Sequence, residues 1–574
     1  MEEEYYRNLC SSETLRSGKK GFFHDFTDYA INAVGDIWIE KIFGRIDNDV
    51  DRLKCIYTDE KLNDVIRGTL TNVKLLYRDK DANISRVKRL EGFQVAREGQ
   101  HEKALLLFSQ AILRAPITGK CKTVDRGYSL PLALLGRAES FMVLKEYRFT
   151  LPFFFFFFFF LSFNTDVRIL FFSNCLSFAG DLPLLSGGIN SKLPSASALL
   201  EIRETKFAGK EAVATKDIYP GDCLVVEEPL AACLLPEFYG THCQHCFSRL
   251  RAPIGCTECS TVAFCGRKCR DVAVSTYHKY ECKILALLIG KPSRIFFAQY
   301  VMYNEFHVPR KDRKFFPFFL RPPPLSPHPL IYQKIFTEIP NQKEIIVGSL
   351  LLKNLQLLQF NAHEFCETRV NANHRFRGSK SIYLGVAIYP TVARFNHDCY
   401  PAVTRYFVGR NIVIRAIRTL KPGDVVAENY GPIFTKRNLE ERQRTLSGRY
   451  WFKCTCKACK DDWPLFERMT NDLAKLRFQR YLSRDLKEPL LLSKRILREP
   501  WNGISLNSLL ECEVLYVQGL DKMEEEKPER AIELLVKAIK KFHEIAVPPH
   551  RDTHLAEIAL GACMSDSGNT WRVA

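Results

Sequence analysis

The first ten residues, MEEEYYRNLC, contain no apolar stretch, so no secretory leader is expected, and no oxidising destination with it. Apolar runs long enough to cross a bilayer are missing too. The Phe-rich run Leu151–Phe163 spans 13 residues, against the roughly 20 that a membrane helix needs, so no membrane attachment is expected. No long basic tail is present either. The net charge of +18, from 83 basic and 65 acidic side chains, is spread along the whole chain. That balance favours acidic partners and a chromatin or nucleic-acid neighbourhood, and no more; the localisation expected is nucleus and cytoplasm. Without a basic recognition helix, sequence-specific DNA binding is not expected. What is left is a soluble globular chain, consistent with 46% hydrophobic and 26% charged residues. Its 574 residues are enough for two to four domains.

Cysteine, by contrast, is plentiful, and the 20 copies concentrate in metal-type spacings that indicate a reducing compartment. The stretch Cys243-x2-Cys246-x9-Cys256-x2-Cys259-x5-Cys265-x3-Cys269-x8-His278-x3-Cys282 puts eight donors in 40 residues. Zinc takes four thiolate or imidazole ligands in a tetrahedron, and a close pair supplies only half of one. Four pairs therefore make two closed, structural sites with no open position for catalysis. The competing reading, a disulfide framework, needs the oxidising compartment that the N-terminus does not predict. A second cluster, Cys454-x-Cys456-x2-Cys459, lacks a nearby fourth ligand, and Cys399 is the obvious donor.

Residues 1–80 carry no usable motif. From Val87 the pattern turns helical, with Gly92, Gly99, Ala104, Phe108, Ala111 and Pro116 at offsets of 7, 5, 4, 3 and 5. Small residues suit a close helix crossing, an aromatic fills the groove, and Pro ends the second helix. These offsets resemble the tetratricopeptide (TPR) pattern; an ordinary helical hairpin is the plainer alternative. Leu130–Lys145 reads as the first helix of a second unit, which breaks off at Leu151-Pro152. There eight consecutive phenylalanines, Phe153–Phe160, carry neither a helix nor a strand period. Residues 149–185 are read as a translated pyrimidine-rich intron, and Lys314–Pro324 as a patch of the same origin or a long loop. Leu200–Leu230, with its Pro220-Gly221-Asp222 turn, suggests short strands and a hairpin. Residues 283–375 read as mostly helical, with Leu350–Phe360 strongly apolar. Strands are predicted at Ile382–Ala387 and Val403–Phe407. Two more, Asn411–Ile417 and Val425–Asn429, flank the turn Lys421-Pro422-Gly423-Asp424. Residues 465–574 read as helical, with Ala531, Leu535 and Ala538 at repeat-like spacing.

Three short pieces carry chemistry: Arg394-Phe-Asn-His-Asp-Cys-Tyr-Pro401, Glu428-Asn-Tyr-Gly431 and the Cys454–Cys459 cluster. Alone, an Asn-His pair is more often a polar turn, and a lone Tyr between strands is usually core. In this order they resemble the SET domain of protein lysine methyltransferases, with Asn396-His397-Asp398-Cys399-x-Pro401 and Glu428-Asn429-Tyr430 matching its motifs. The eight-donor stretch resembles the MYND zinc finger. A finger inserted between the first SET strands and the rest identifies the chain with the SET- and MYND-domain lysine methyltransferases, and its repeat-like segment with their TPR-bearing branch.

The resemblance implies an α+β fold. A SET β-fold of short, β-clip-like sheets would carry the inserted MYND finger packed on it, with all-α TPR-like regions on the N- and C-terminal sides. The parts would be an N-terminal helical region (1–80), TPR-like repeats (86–148), the anomalous insertion (149–185), the N-terminal SET part (190–235), the finger (243–282), a helical insert (286–375), the SET core (376–435), a post-SET zinc cluster (448–462) and a C-terminal TPR-like domain (465–574). The implied activity is methyl transfer from S-adenosylmethionine to a lysine of a histone or another protein. Tyr430 would be catalytic. Gly209, Lys210, Asn361, Asn396, His397, Tyr450 and Phe452 would meet the cofactor. The cross-brace order of the family implies one zinc on Cys243, Cys246, Cys265 and Cys269, another on Cys256, Cys259, His278 and Cys282, and a third on Cys399, Cys454, Cys456 and Cys459. The finger would also take Pro-containing peptides, and the repeats a second protein partner. The chain departs from the family pattern at Glu211, where a second glycine is usual, at Asp398 for serine, and at Ala402 for asparagine. The reading from a different class is a chromatin-associated adaptor with a silent SET domain. If the intron reading is right, spliced message will lack the codons for 149–185; transcript sequence that retains them contradicts it.

Overall fold

The structure is a computed structural model describing residues 21–64, 79–144, 182–282, 345, 360–370, 380–469 and 506–572, apart from 117, 207, 236, 237, 251, 252, 451, 526 and 567. The phenylalanine run, the Lys314–Pro324 patch and most of the expected helical insert lie outside these residues. The chain divides into two compact units, one of 1–177 and 233–362, the other of 178–232 and 363–573. Among the described residues no helix is long and apolar enough to cross a membrane.

The first unit begins with helices α1 (Gly21–Lys41) and α2 (Asp49–Thr58), the latter capped by Asn48, whose side chain accepts from the Asp51 amide. Three helices follow: α3 (Ala82–Arg97), α4 (His101–Arg114) and α5 (Ser129–Val143). Asp81 caps α3, and Gly99, at φ +79°, supplies the left-handed turn into α4. Phe108 is wholly buried between these helices. A Cβ on Gly92 would stand 2.8 Å from its ring, and one on Gly136 closer still. The two glycines are therefore what allow the aromatic to fill the groove, and replacing Phe108 by Ala costs about 3–5 kcal/mol. The finger packs on these helices, with Leu113 of α4 in one core with Cys243, Leu250, Val262 and Phe264. A buried guanidinium stitches the contact. Arg137 donates to the carbonyls of Leu250 (2.8 Å) and Leu105 (3.3 Å) and to the Ser109 hydroxyl. The finger itself holds one antiparallel pair, Ile254–Gly255 with Ala263–Phe264, then helices α6 (Arg267–Ser275) and α7 (His278–Glu281).

In the second unit β1 (Leu200–Thr205) and β2 (Gly209–Ala214) form an antiparallel hairpin. The Pro220-Gly221-Asp222 turn instead leads into β3 (Cys223–Glu227), which joins a different sheet. Further along the chain come β4 (Ala362–Val370), β5 (Lys380–Ile388), β6 (Val403–Val408), β7 (Asn411–Ala416) and β8 (Thr570–Arg572). β7 is the middle of an antiparallel sheet in the order β3-β7-β6, while β8, β4 and β5 are neighbours in another, β8 running parallel to β4. Helices α8 (Leu439–Tyr450) and α9 (Lys457–Lys460) precede three longer ones, α10 (Leu506–Glu524), α11 (Pro528–Ile545) and α12 (Arg551–Ser565). Leu535, Ile539, Phe542 and Leu560 of this trio share a core with Tyr406, Val408 and Val413 of the sheet.

The structure differs from the sequence expectation at three places. Ala362–Val370, inside the expected helical insert, is a strand. His363, Phe365 and Glu367 are buried in alternation with half-buried neighbours, which is the period of a pleated ribbon. Val425–Asn429 is not a regular strand. Its hydrogen bonds pass from Ala212 to Ala402 to Asn396 and Asp398, so no single partner sustains a ladder. The helical C-terminal stretch ends in β8, held by Asn569. That residue donates to Phe407 O (2.7 Å) and exchanges side-chain bonds with both backbone groups of Gly409 (2.9 and 2.7 Å).

Candidate functional site

The site is built where two irregular segments cross. The first follows a turn, Val392–Arg394, whose free amides are satisfied by a buried carboxylate: Glu227 accepts from Thr391 N (2.8 and 3.0 Å) and Val392 N (3.1 Å). Asn396–Ala402 then runs against 427–430. Glu428 N donates to Asn396 O at 2.9 Å, Asp398 N to Glu428 O at 2.8 Å, and Ala402 N to Ala427 O at 3.2 Å. Asn429 fastens the crossing, its amide donating to Asp398 O (3.0 Å) and Pro432 O (2.8 Å) while its oxygen accepts from Gly431 N (2.8 Å).

This crossing brings His397 and Tyr430 together. Tyr430 N donates to His397 Nδ1 at 3.0 Å, so the imidazole proton sits on Nε2, 3.3 Å from Cys399 Sγ. Burial first of all pushes the His397 pKa down to about 4, and the ring is neutral at physiological pH. Tyr430 donates its hydroxyl to Phe395 O at 2.8 Å. Burial, then Glu428 and Tyr450, raise its pKa, so the phenol keeps its proton. Its ring lies 4.9 Å from that of Tyr450 and 6.5 Å from that of Phe452, and Phe452 is 6.1 Å from His397. The Tyr450 hydroxyl donates to Tyr430 O at 3.2 Å, closing the aromatic group.

Beside it lies the β1–β2 turn, where Ala208 O accepts from Asn396 Nδ2 at 3.3 Å. Gly209 and Lys210 are exposed there; Gly209 has φ +66° and open space where a Cβ would stand. Glu211 is buried, and Arg203 opposite it in the hairpin donates to its carboxylate at 3.0 and 2.7 Å. Asn361 is half-buried, just before β4, and belongs to the first unit.

Two supporting groups escaped the sequence reading. Glu428 is buried with His363 Nε2 at 2.9 Å and Arg405 Nη1 at 2.8 Å. Burial alone would raise its pKa, but these two partners hold it below the usual carboxylate value. His363 and Arg405 are far from Glu428 in sequence; the local signal of His363 is a polar side chain at a buried strand position, and Arg405, on the exposed face of its strand, has none.

Among the described residues, three cysteine-rich clusters have metal-site geometry, each with its donor atoms within 4.8 Å of one another: Cys243, Cys246, Cys265 and Cys269; Cys256, Cys259, His278 and Cys282; Cys399, Cys454, Cys456 and Cys459. A tetrahedron of ligands ~2.3 Å from zinc has edges of about 3.8 Å. The Sγ–Sγ separations match: 3.5 Å for Cys246–Cys265 and Cys265–Cys269, 3.8 Å for Cys256–Cys282, and 3.5 Å for Cys399–Cys459. His278 Nε2 lies 3.6 Å from Cys259 Sγ. Donor chemistry and spacing both fit zinc.

Comparison with known proteins accords with this geometry. Residues 243–282 match the MYND finger family. The chain is 21% identical over 459 residues to mouse protein-lysine N-methyltransferase SMYD4, covering 57% of each. It is 24% identical over 297 residues to human histone-lysine N-methyltransferase SMYD3, covering 47% of this chain and 64% of that protein. With N-lysine methyltransferase SMYD2-A of Xenopus laevis it shares 25% over 272 residues, covering 45% and 60%. The chain thus spans 57–64% of the length of these relatives. The finger match and these relatives together make the chain similar to SET and MYND domain proteins, the SMYD4 proteins among them.

Proposed function

We propose that this chain is an S-adenosylmethionine-dependent protein-lysine N-methyltransferase, with a SET β-fold and its site at the crossing of 396–399 and 428–430. The observation that carries the reading is the neutral His397 bonded to the Tyr430 amide inside the ring of Tyr430, Tyr450 and Phe452. The residues present fit the cofactor. Asn396 and His397 would bind it, with Gly209 and Lys210 leaving room beside Asn396. The departure at Glu211 is tied up by Arg203 rather than left as a free carboxylate. When bound, S-adenosylmethionine supplies an electrophilic methyl group on a sulfonium.

A lysine amine has an unperturbed pKa near ~10.4 and must lose its proton to act as a nucleophile. Tyr430 does not take that proton as a phenolate, because burial holds its hydroxyl protonated. Its hydrogen is committed to Phe395 O, which leaves oxygen lone pairs free to orient the amine and to favour nearby positive charge. Tyr450 and Phe452 exclude water and offer aromatic faces to an alkylammonium. Their contribution is alignment, which prepays the entropy of bringing amine and methyl group together.

The three clusters would each hold one zinc, through the twelve ligands that the resemblance implies. The third would fasten Phe452 to the 396–399 loop through Cys399. The helices of 82–143 and 506–565 would act as TPR-like interaction repeats and the finger as a receptor for Pro-containing peptides, in nucleus and cytoplasm. Glu211 keeps the adaptor reading as the alternative, because it occupies the place of a glycine that usually lets backbone approach the cofactor.

Elemental analysis of the full chain should find three zinc per molecule, and Cys399→Ser two; a count of three in that variant removes Cys399 from the ligand set. Calorimetric titration with S-adenosylmethionine should give similar affinities for the full chain and Tyr430→Phe, while methyl transfer to lysine in a protein extract falls about 100-fold in the variant. No binding by folded, zinc-replete protein overturns the enzyme reading in favour of the adaptor.

A further inference from the structure

Tyr400 has no part in the reading above, yet it stands next to Cys399 and three residues beyond His397. We infer that Glu557 and Tyr400 form a positioning pair by which the C-terminal helices hold the 396–402 loop in its binding-competent shape. The inference rests on the methyltransferase reading.

The contacts are specific rather than generic packing. Tyr400 donates its hydroxyl to Glu557 Oε1 at 2.7 Å, and that oxygen also lies 3.1 Å from His543 Nε2 of α11. Glu557, on α12, is 1% exposed. A buried carboxylate is tolerated only where donors replace the water it has lost. Here they are Tyr400 and His543, both on Oε1; the other oxygen makes no hydrogen bond, with His554 Nδ1 3.5 Å away. An apolar side chain at 557 would pack the helices without this demand, so the acid makes the docking depend on where the Tyr400 hydroxyl sits.

The other end of Tyr400 is held just as closely. Its amide donates to Asp398 Oδ1 at 2.8 Å, and Arg418 donates to the carbonyls of Tyr400 (2.6 Å) and Pro401 (3.1 Å). The Arg418 guanidinium also sits 3.8 Å above the Tyr400 ring. Phe434 and Trp463 wall that ring at 5.6 and 5.4 Å. Anchored at hydroxyl, ring and backbone, Tyr400 fixes the path of the loop. Any slip carries His397 with it, and His397 holds the Tyr430 amide.

The test compares the full chain with Tyr400→Phe, Glu557→Gln, the double variant and Leu560→Ala, a core change on the same helix that leaves the pair untouched. S-adenosylmethionine affinity, zinc content and melting temperature are read for each. Tyr400→Phe is expected to weaken cofactor binding about tenfold with zinc content unchanged. Glu557→Gln keeps an acceptor at the same place and should lose less, and the double variant no more than Tyr400→Phe alone. Leu560→Ala should lower the melting temperature and leave affinity as it was. Unchanged affinity in Tyr400→Phe overturns the inference, as does an equal loss in Leu560→Ala. Absence of cofactor binding by the unmutated chain overturns the methyltransferase reading and the inference together.

Discussion

Two backbone segments that cross without forming a sheet, 396–398 and 428–430, are what the second unit is arranged to hold. Their amides and carbonyls satisfy one another at the crossing, and the imidazole of His397 takes up the Tyr430 amide that no strand partner reaches. Because the segments are irregular, no ladder keeps them in register. Their geometry must come from outside, from side chains and from the cysteine cluster at Cys399.

Buried carboxylates supply much of that external hold. Glu227 caps the turn that leads in, Glu428 sits between His363 and Arg405 behind the tyrosine, Glu211 is locked to Arg203, and Glu557 reaches the loop from α12. Each would be costly if unpaired; Glu227, Glu428 and Glu211 are held by directional donors, and Glu557 through its Oε1. A core built of leucine could be as stable, but it would tolerate sliding that hydrogen bonds of defined length and direction do not. In the first unit Arg137 has the same character, joining the finger to α4 and α5 through carbonyls that only one geometry reaches.

How much of this was legible in the sequence follows from range. The finger could be read because its ligands lie within 40 residues and zinc chemistry dictates their types and spacing. Of the two glycines that admit Phe108, Gly92 left a readable offset pattern for the same local reason, and Gly136 did not. Strands rich in β-branched and aromatic residues, such as Val403–Val408, announced themselves by composition. Ala362–Val370 alternates in burial, but its buried positions include His363 and Glu367, polar side chains that hide the period in composition. The site motifs drew meaning from resemblance; their spacing alone would have left Asn396-His397 a polar turn. Contacts such as Tyr400 with Glu557, 157 positions apart, have no sequence signature, since only the docked helix creates them.

The crossing is expected to bind cofactor only when the third cysteine cluster is closed by metal, because Cys399 links the cluster to the loop and Phe452 links it to the aromatic wall. The most direct measurement is S-adenosylmethionine binding by the full chain carrying Cys454→Ser, beside the unmutated chain, at matched occupancy of the two finger sites. The expected result is loss of cofactor binding with the finger zincs retained. Equal binding by both proteins would contradict the claim, and would show that the loop keeps its shape without the cluster.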